Sequence, residues 1–120
     1  MQYCNDLTIE GSYIQTNTVP TAFLHGISAT DCNRVTIVGN NIEGNGAASD
    51  IHGVQITNAG GTSEDHVITS NTVTSCDKGI RIVTAGTDYS LVTSNNVRSC
   101  GNATKIEVVG ANQVLANNLI

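Results

Sequence analysis

Tryptophan is absent from this 120-residue chain, proline and methionine occur once each, and aromatic residues make up 3% of it. Tyr3, Tyr13, Phe23 and Tyr89 are too few and too scattered to form a platform on which sugar rings stack. Charge is scarce as well: 12% of the residues are charged, about half the usual share, with five basic against ten acidic side chains. A net charge of -5 without a basic cluster leaves no footprint for a phosphate backbone, which excludes nucleic acid as an expected partner. No apolar run reaches the roughly 18 residues of a membrane span, and no basic segment leads into an apolar one at the N-terminus, so no membrane partner is expected. Five leucines are too few for a leucine-rich repeat.

The abundant residues are 15 Thr, 14 Asn, 12 Ile, 12 Val and 12 Gly. Asn, Thr, Gly and β-branched residues are poor in helix interiors; Ile, Val and Thr suit pleated strands, and Asn and Gly suit tight bends. The composition therefore predicts an all-β chain with room for one modest core, a single domain over residues 1–120. The four cysteines, Cys4, Cys32, Cys76 and Cys100, include no C-x-x-C pair and no His pair at zinc-finger spacing, so a structural zinc site is not expected.

An internal repeat explains their spacing. Asp65 to Cys76 reads D-H-V-I-T-S-N-T-V-T-S-C, and Asp88 to Cys100 reads D-Y-S-L-V-T-S-N-N-V-R-S-C. The kernel recurs at Leu7–Ile14, Val35–Ile42 and Val114–Leu119. Aligned on Ile14, Ile42, Val73, Val97 and Leu119, the copies place Ile9, Ile37, Ile68, Val92 and Val114 five residues earlier. Two residues before the alignment point stand Ser12, Asn40, Asn71, Asn95 and Asn117, an asparagine ladder in which amides bond to the copies above and below. A second strand recurs as His25-Gly26-Ile27-Ser28-Ala29, His52-Gly53-Val54-Gln55-Ile56, Lys78-Gly79-Ile80-Arg81-Ile82 and Thr104-Lys105-Ile106-Glu107-Val108. Alternation sends its Ile, Val and Ala side chains inward and Ser28, Gln55, Arg81 and Glu107 outward.

Three short strands per period, each pairing in parallel with its counterpart in the next, form a coil around a continuous apolar column. With its N-N-x bend and G-I-x-I strand, the sequence resembles the right-handed parallel β-helix family over essentially its whole length. This is the pectate-lyase-like superfamily, which includes phage tailspikes and periplasmic NosD-like proteins. The resemblance implies a solenoid of about four to five coils. Within it Cys4 stands above Cys32 and Cys76 above Cys100, stacked thiols that need not be oxidised. Both ends read as cut: no amphipathic capping helix is found, so the chain is expected to be a fragment of a longer β-helix protein and to self-associate, end to end or as a trimer.

Fold alone leaves activity open. Variable stretches at Gln15–Leu24, Glu43–Ile51, Thr57–Asp65 and Val83–Asp88 are expected to wall a groove floored by Ser28, Gln55, Arg81 and Glu107 and edged by His25, His52 and Lys78. The resemblance makes that groove the candidate site for an extended polysaccharide. Arg81 and Glu107 lie one coil apart as a surface ion pair, or free Arg81 to grip a sugar carboxylate. The H-G and R-I pairs echo polygalacturonase signatures, but the adjacent Asp pair that an inverting mechanism needs is missing, and Val83 stands where Lys would follow. Asp31, Asp50, Asp65, Asp77 and Asp88 fall mainly in bends, so no metal and no cofactor is expected. The expected function is a structural or polysaccharide-binding segment of a tailspike-like or bacterial surface protein, at an extracellular, cell-surface or virion location. The alternative is a fragment of a polysaccharide lyase, glycoside hydrolase or epimerase.

Overall fold

Each copy of the repeat places β-branched residues at alternate positions between bends, and each becomes three short strands. The computed structural model describes residues 4–16, 25–45, 51–60, 63–101 and 104–120. The first coil holds β1 (Thr8–Glu10), β2 (Tyr13–Gln15) and β3 (Ile27–Thr30). The second holds β4 (Thr36–Val38), β5 (Asn41–Glu43) and β6 (His52–Thr57), and the third β7 (Val67–Thr69), β8 (Thr72–Thr74) and β9 (Lys78–Asp88). The fourth holds β10 (Leu91–Thr93), β11 (Asn96–Arg98) and β12 (Ile106–Ala111), and β13 (Val114–Ala116) follows.

Equivalent strands pair in parallel, giving sheets ordered β1-β4-β7-β10-β13, β2-β5-β8-β11 and β3-β6-β9-β12. Among the described residues there is no helix. The fold is thus a parallel β-helix whose coil count falls slightly short of expectation, the fifth copy of the repeat contributing the single strand β13. The core is the column the alternation implied. Ile37, Ile68 and Val92 stack in the first sheet, Ile42, Val73 and Val97 in the second, and Val54, Ile56, Ile80 and Ile82 in the third, all fully buried. Burying a side chain of this size stabilises by roughly 1.5–3 kcal/mol, offset by the entropy of ordering the coil around it.

The bend between the first two sheets divides labour between neighbouring residues. Gly11, Gly39, Ser70, Ser94 and Asn117 take the left-handed conformation, with φ between 54° and 66°. The residue after each, Ser12, Asn40, Asn71, Asn95 or Asn118, is not left-handed. Asn71 Oδ1 accepts from the backbone N–H and the Nδ2–H of Asn40, both at 3.0 Å, and Asn95 Oδ1 does the same for Asn71. Asn118 Oδ1 completes the series beneath Asn95. Each Nδ2 also donates at 2.9 Å to a strand carbonyl of the preceding coil, from Asn40 to Ile9 O through Asn118 to Val92 O.

The fifth copy therefore sits one residue later than expected. Val92 pairs with Leu115 rather than Val114, and Asn117 supplies the left-handed bend while Asn118 supplies the amide. Two further expectations change. Val83–Asp88 is not a loop: β9 runs through it, drawn on by Val83, which pairs with Val109, and by the pairing of Asp88 with Ala111 across an irregularity in the ladder. Cys4 and Cys32 are joined by a disulfide rather than merely stacked, because the Asn5–Asn33 bridge holds their Cα atoms 4.5 Å apart. Cys76 and Cys100 are free and buried.

Candidate functional site

Glycine fixes the third sheet against the core. A Cβ at Gly53 would lie 2.2 Å from Val73 Cγ1 and 2.7 Å from Gly79 O, and one at Gly79 would lie 2.2 Å from Val97 Cγ1. Gly26 stands in the same relation to Ile42 Cγ2, at 2.6 Å. The H-G and K-G pairs thus mark where the strand enters the sheet so closely that a neighbouring core side chain fills the space of a methyl group. Everything after the glycine inherits its register.

That register aligns the outward residues. Ser28 pairs with Gln55, Gln55 with Arg81, and Arg81 with Glu107, one file across β3, β6, β9 and β12. Beside it run Thr30 and Thr57, whose hydroxyls are 3.2 Å apart. Gln55 Oε1 is shielded from solvent and has no hydrogen-bond partner among the described residues. At the lower end of the file Glu107 Oε2 accepts from Lys78 Nζ at 2.6 Å and from Arg81 Nε at 3.1 Å. These bonds, led by the one from Lys78, hold the Glu107 carboxyl below its ordinary range. Arg81 is therefore engaged at its Nε. The expected groove walls at residues 17–24 and 46–50 lie outside the described residues.

The second expected file, His25, His52 and Lys78, is also brought together. The His25 and His52 rings stack with centroids 5.1 Å apart and planes 17° from parallel, and the His52 backbone N–H donates to His25 Nδ1 at 3.2 Å. His52 pairs with Lys78 in the next coil. The correction concerns exposure: His52 is 3% exposed rather than open on an edge, because its position opens β6 beneath the His25 ring.

Sequence reasoning passed over His66. It is fully buried, its Nδ1 accepts from Val35 N–H at 3.4 Å, and its Nε2 lies 3.1 Å from Ser63 Oγ. Ser63 Oγ itself donates to Cys32 O, so the hydroxyl accepts from an Nε2–H and the ring is the neutral Nε2–H tautomer. Burial pushes the His66 pKa down to about 4. The signal lay in the alignment: pairing Thr8 and Thr36 with Val67 puts Leu7 and Val35 at the place of His66, an inward position where a titratable group has to be neutral. Ser63 and His66 are too deeply enclosed to meet a substrate, and together they tie the bend after β6 to Cys32.

Comparison with protein families finds one described as periplasmic copper-binding protein (NosD), matched over residues 1–120. Comparison with curated proteins and with solved structures finds no match.

Proposed function

The chain belongs to the NosD family, a right-handed parallel β-helix family, and from that premise we propose that it is a polysaccharide-binding segment of a periplasmic or surface protein. The outward file Ser28–Gln55–Arg81–Glu107 is the binding surface. Its support is the register. Parallel strands repeat about every 4.8 Å, close to the length of one sugar unit in an extended chain, so each coil offers one polar side chain per sugar. Gln55, in the middle, carries a carbonyl oxygen without a partner; rotation of its amide outward meets a sugar hydroxyl that donates to it. The file holds one carboxylate, Glu107, already bound to two cations, whereas hydrolysis of a glycosidic bond needs two carboxyl groups facing each other.

The family description names copper, a metal that favours thiolate and imidazole donors converging on one point. Among the described residues no three His, Cys, Asp or Glu side chains do so. Both ring nitrogens of His66 are engaged, His25 Nδ1 accepts a backbone N–H, and Cys4 is bonded to Cys32. Cys76 and Cys100 are free but form a buried pair without a third donor, so the described residues hold no converging three-donor copper site, and the function proposed contains no copper step.

The test is incubation with a panel of neutral and acidic polysaccharides, scoring retention and new reducing or unsaturated ends. Retention without cleavage, lost in Gln55→Ala, supports the proposal. Cleavage by this chain alone replaces binding with catalysis, and the absence of retention on every polymer removes it.

A further inference from the structure

We propose that Cys76 and Cys100 are a second disulfide site, open in the structure and closed by exchange with a small-molecule disulfide. The argument begins with the pair that is already bonded. Asn33 N–H donates to Cys4 O at 2.9 Å, and Gly101 N–H donates to Cys76 O at 2.8 Å. In both pairs the residue after the later cysteine bonds to the carbonyl of the earlier one. The two pairs occupy different corners of the coil but share one backbone relation, which in parallel stacking leaves the Cα atoms within the range a disulfide spans.

The side chains also point alike. Cys32 Sγ lies 3.4 Å from Thr30 O, Cys76 Sγ 3.2 Å from Thr74 O and Cys100 Sγ 3.5 Å from Arg98 O, each the carbonyl two residues earlier. Across one coil step the Cys76 and Cys100 thiols perturb each other, which lowers Cys100 to about 7 and raises Cys76. Space for Cys76 comes from Gly44 in the preceding coil, where a Cβ would stand 2.6 Å from its sulfur. Cys100 is 8% exposed and Cys76 fully enclosed, so Cys100 meets the oxidant first.

Oxidised glutathione serves as that oxidant. The Cys100 thiolate attacks one of its sulfurs, forming a mixed disulfide and releasing one glutathione thiolate. Cys76 then gives up its proton and its sulfur attacks that of Cys100, expelling the second glutathione. Two protein thiols lose two electrons and two protons, and one glutathione disulfide becomes two thiols. The new bond braces the coil of β7 and β8 to that of β10 and β11, at the other end of β8 and β11 from the Asn71–Asn95 contact.

The test is equilibration of the whole chain across a series of glutathione buffers that all keep Cys4–Cys32 closed, with thiols counted by maleimide labelling and mass spectrometry. The proposal expects both thiols to disappear together, with a mass loss of two hydrogen atoms and no glutathione retained. In Cys76→Ser the mixed disulfide accumulates on Cys100; in Cys100→Ser, Cys76 reacts at least about tenfold more slowly. Two free thiols in wild type at every buffer composition overturn the proposal, and that readout stands even where a serine variant fails to fold. Equal rates of glutathione capture by folded serine variants overturn the assignment of Cys100 as the attacking thiol.

Discussion

Replacing Asn71 with leucine tests the amide column where it is most enclosed. Asn71 is 1% exposed, and its side chain serves two coils at once. Its Oδ1 accepts from Asn40 N–H and Nδ2–H, and its Nδ2 donates to Ile37 O and Asn95 Oδ1. Leucine has similar volume and no polar atom, so it strands two Asn40 donors and removes a donor from three acceptors, Ile37 O, Asn95 Oδ1 and the part-buried Thr69 O. The backbone N–H of residue 71 keeps its bond to Asn95 Oδ1, and Asn40 Nδ2 keeps Ile9 O, which limits the damage. A buried group left without its partner costs about 1–3 kcal/mol. With Asn40 N–H fully stranded and the other groups partly satisfied, the expected loss is about 2–3 kcal/mol. An unfolding entropy of about 2.1 cal/mol/K per residue makes 1 kcal/mol worth about 4 °C in a chain of this length. The melt followed by circular dichroism should therefore fall by about 8–12 °C, and the urea midpoint should shift without a change in slope. Thr72→Ser, on the outer face next door, should move the melt by no more than about 2 °C. An unchanged melting temperature in Asn71→Leu would refute the reasoning.

Three other outcomes follow. The His66 pKa falls from about 6.5 in the unfolded chain to about 4 in the fold. The unfolded chain binds the extra proton between those values, so stability is full above about pH 6.5 and declines as pH drops toward 4. The decline, up to about 3 kcal/mol by urea titration, should flatten in His66→Gln. Gly53→Ala forces a methyl group onto Val73 Cγ1 and should cost about 2–3 kcal/mol, partly restored by adding Val73→Ala; a wild-type midpoint in the single variant contradicts the close approach. Glu107→Gln should cost only about 0.5 kcal/mol, since its pairs lie near solvent, but it releases Lys78 and Arg81. Retention on acidic polysaccharides should rise and become salt-sensitive, and unchanged retention would show that the two cations take no part.

The fold was legible because a solenoid writes its geometry into sequence as a period. Ile9, Ile37, Ile68 and Val92 share a phase, and the outward file follows from simple alternation. What escaped shows the limits of phase alone. Asn117-Asn118 matches Asn40-Asn41 and Asn95-Asn96 equally well in two registers, and only backbone dihedrals show which asparagine bends and which carries the bonded amide. The same ambiguity hid the separation of the bend residue from the amide residue in every coil. His66 reads as one letter of a repeat, although its interior column makes it a strongly perturbed imidazole. Cys4–Cys32 and Cys76–Cys100 both read as cysteines one coil apart, and spacing does not tell that the first pair is bonded and the second free. In the site, the sequence placed Ser28, Gln55, Arg81 and Glu107 in one file, while the enclosure of His52 and the double pairing of Glu107 depend on how rings and long side chains settle between coils.

The most direct test of the central claim is a titration of isotope-labelled chain with an oligosaccharide of the retained polymer, followed through backbone and side-chain amide resonances. The account predicts that the Gln55 side-chain amide and the backbone of Ser28, Gln55, Arg81 and Glu107 shift together and saturate with one affinity. Shifts confined to the β1-β4-β7-β10-β13 face, with the Gln55 amide unmoved, would contradict it.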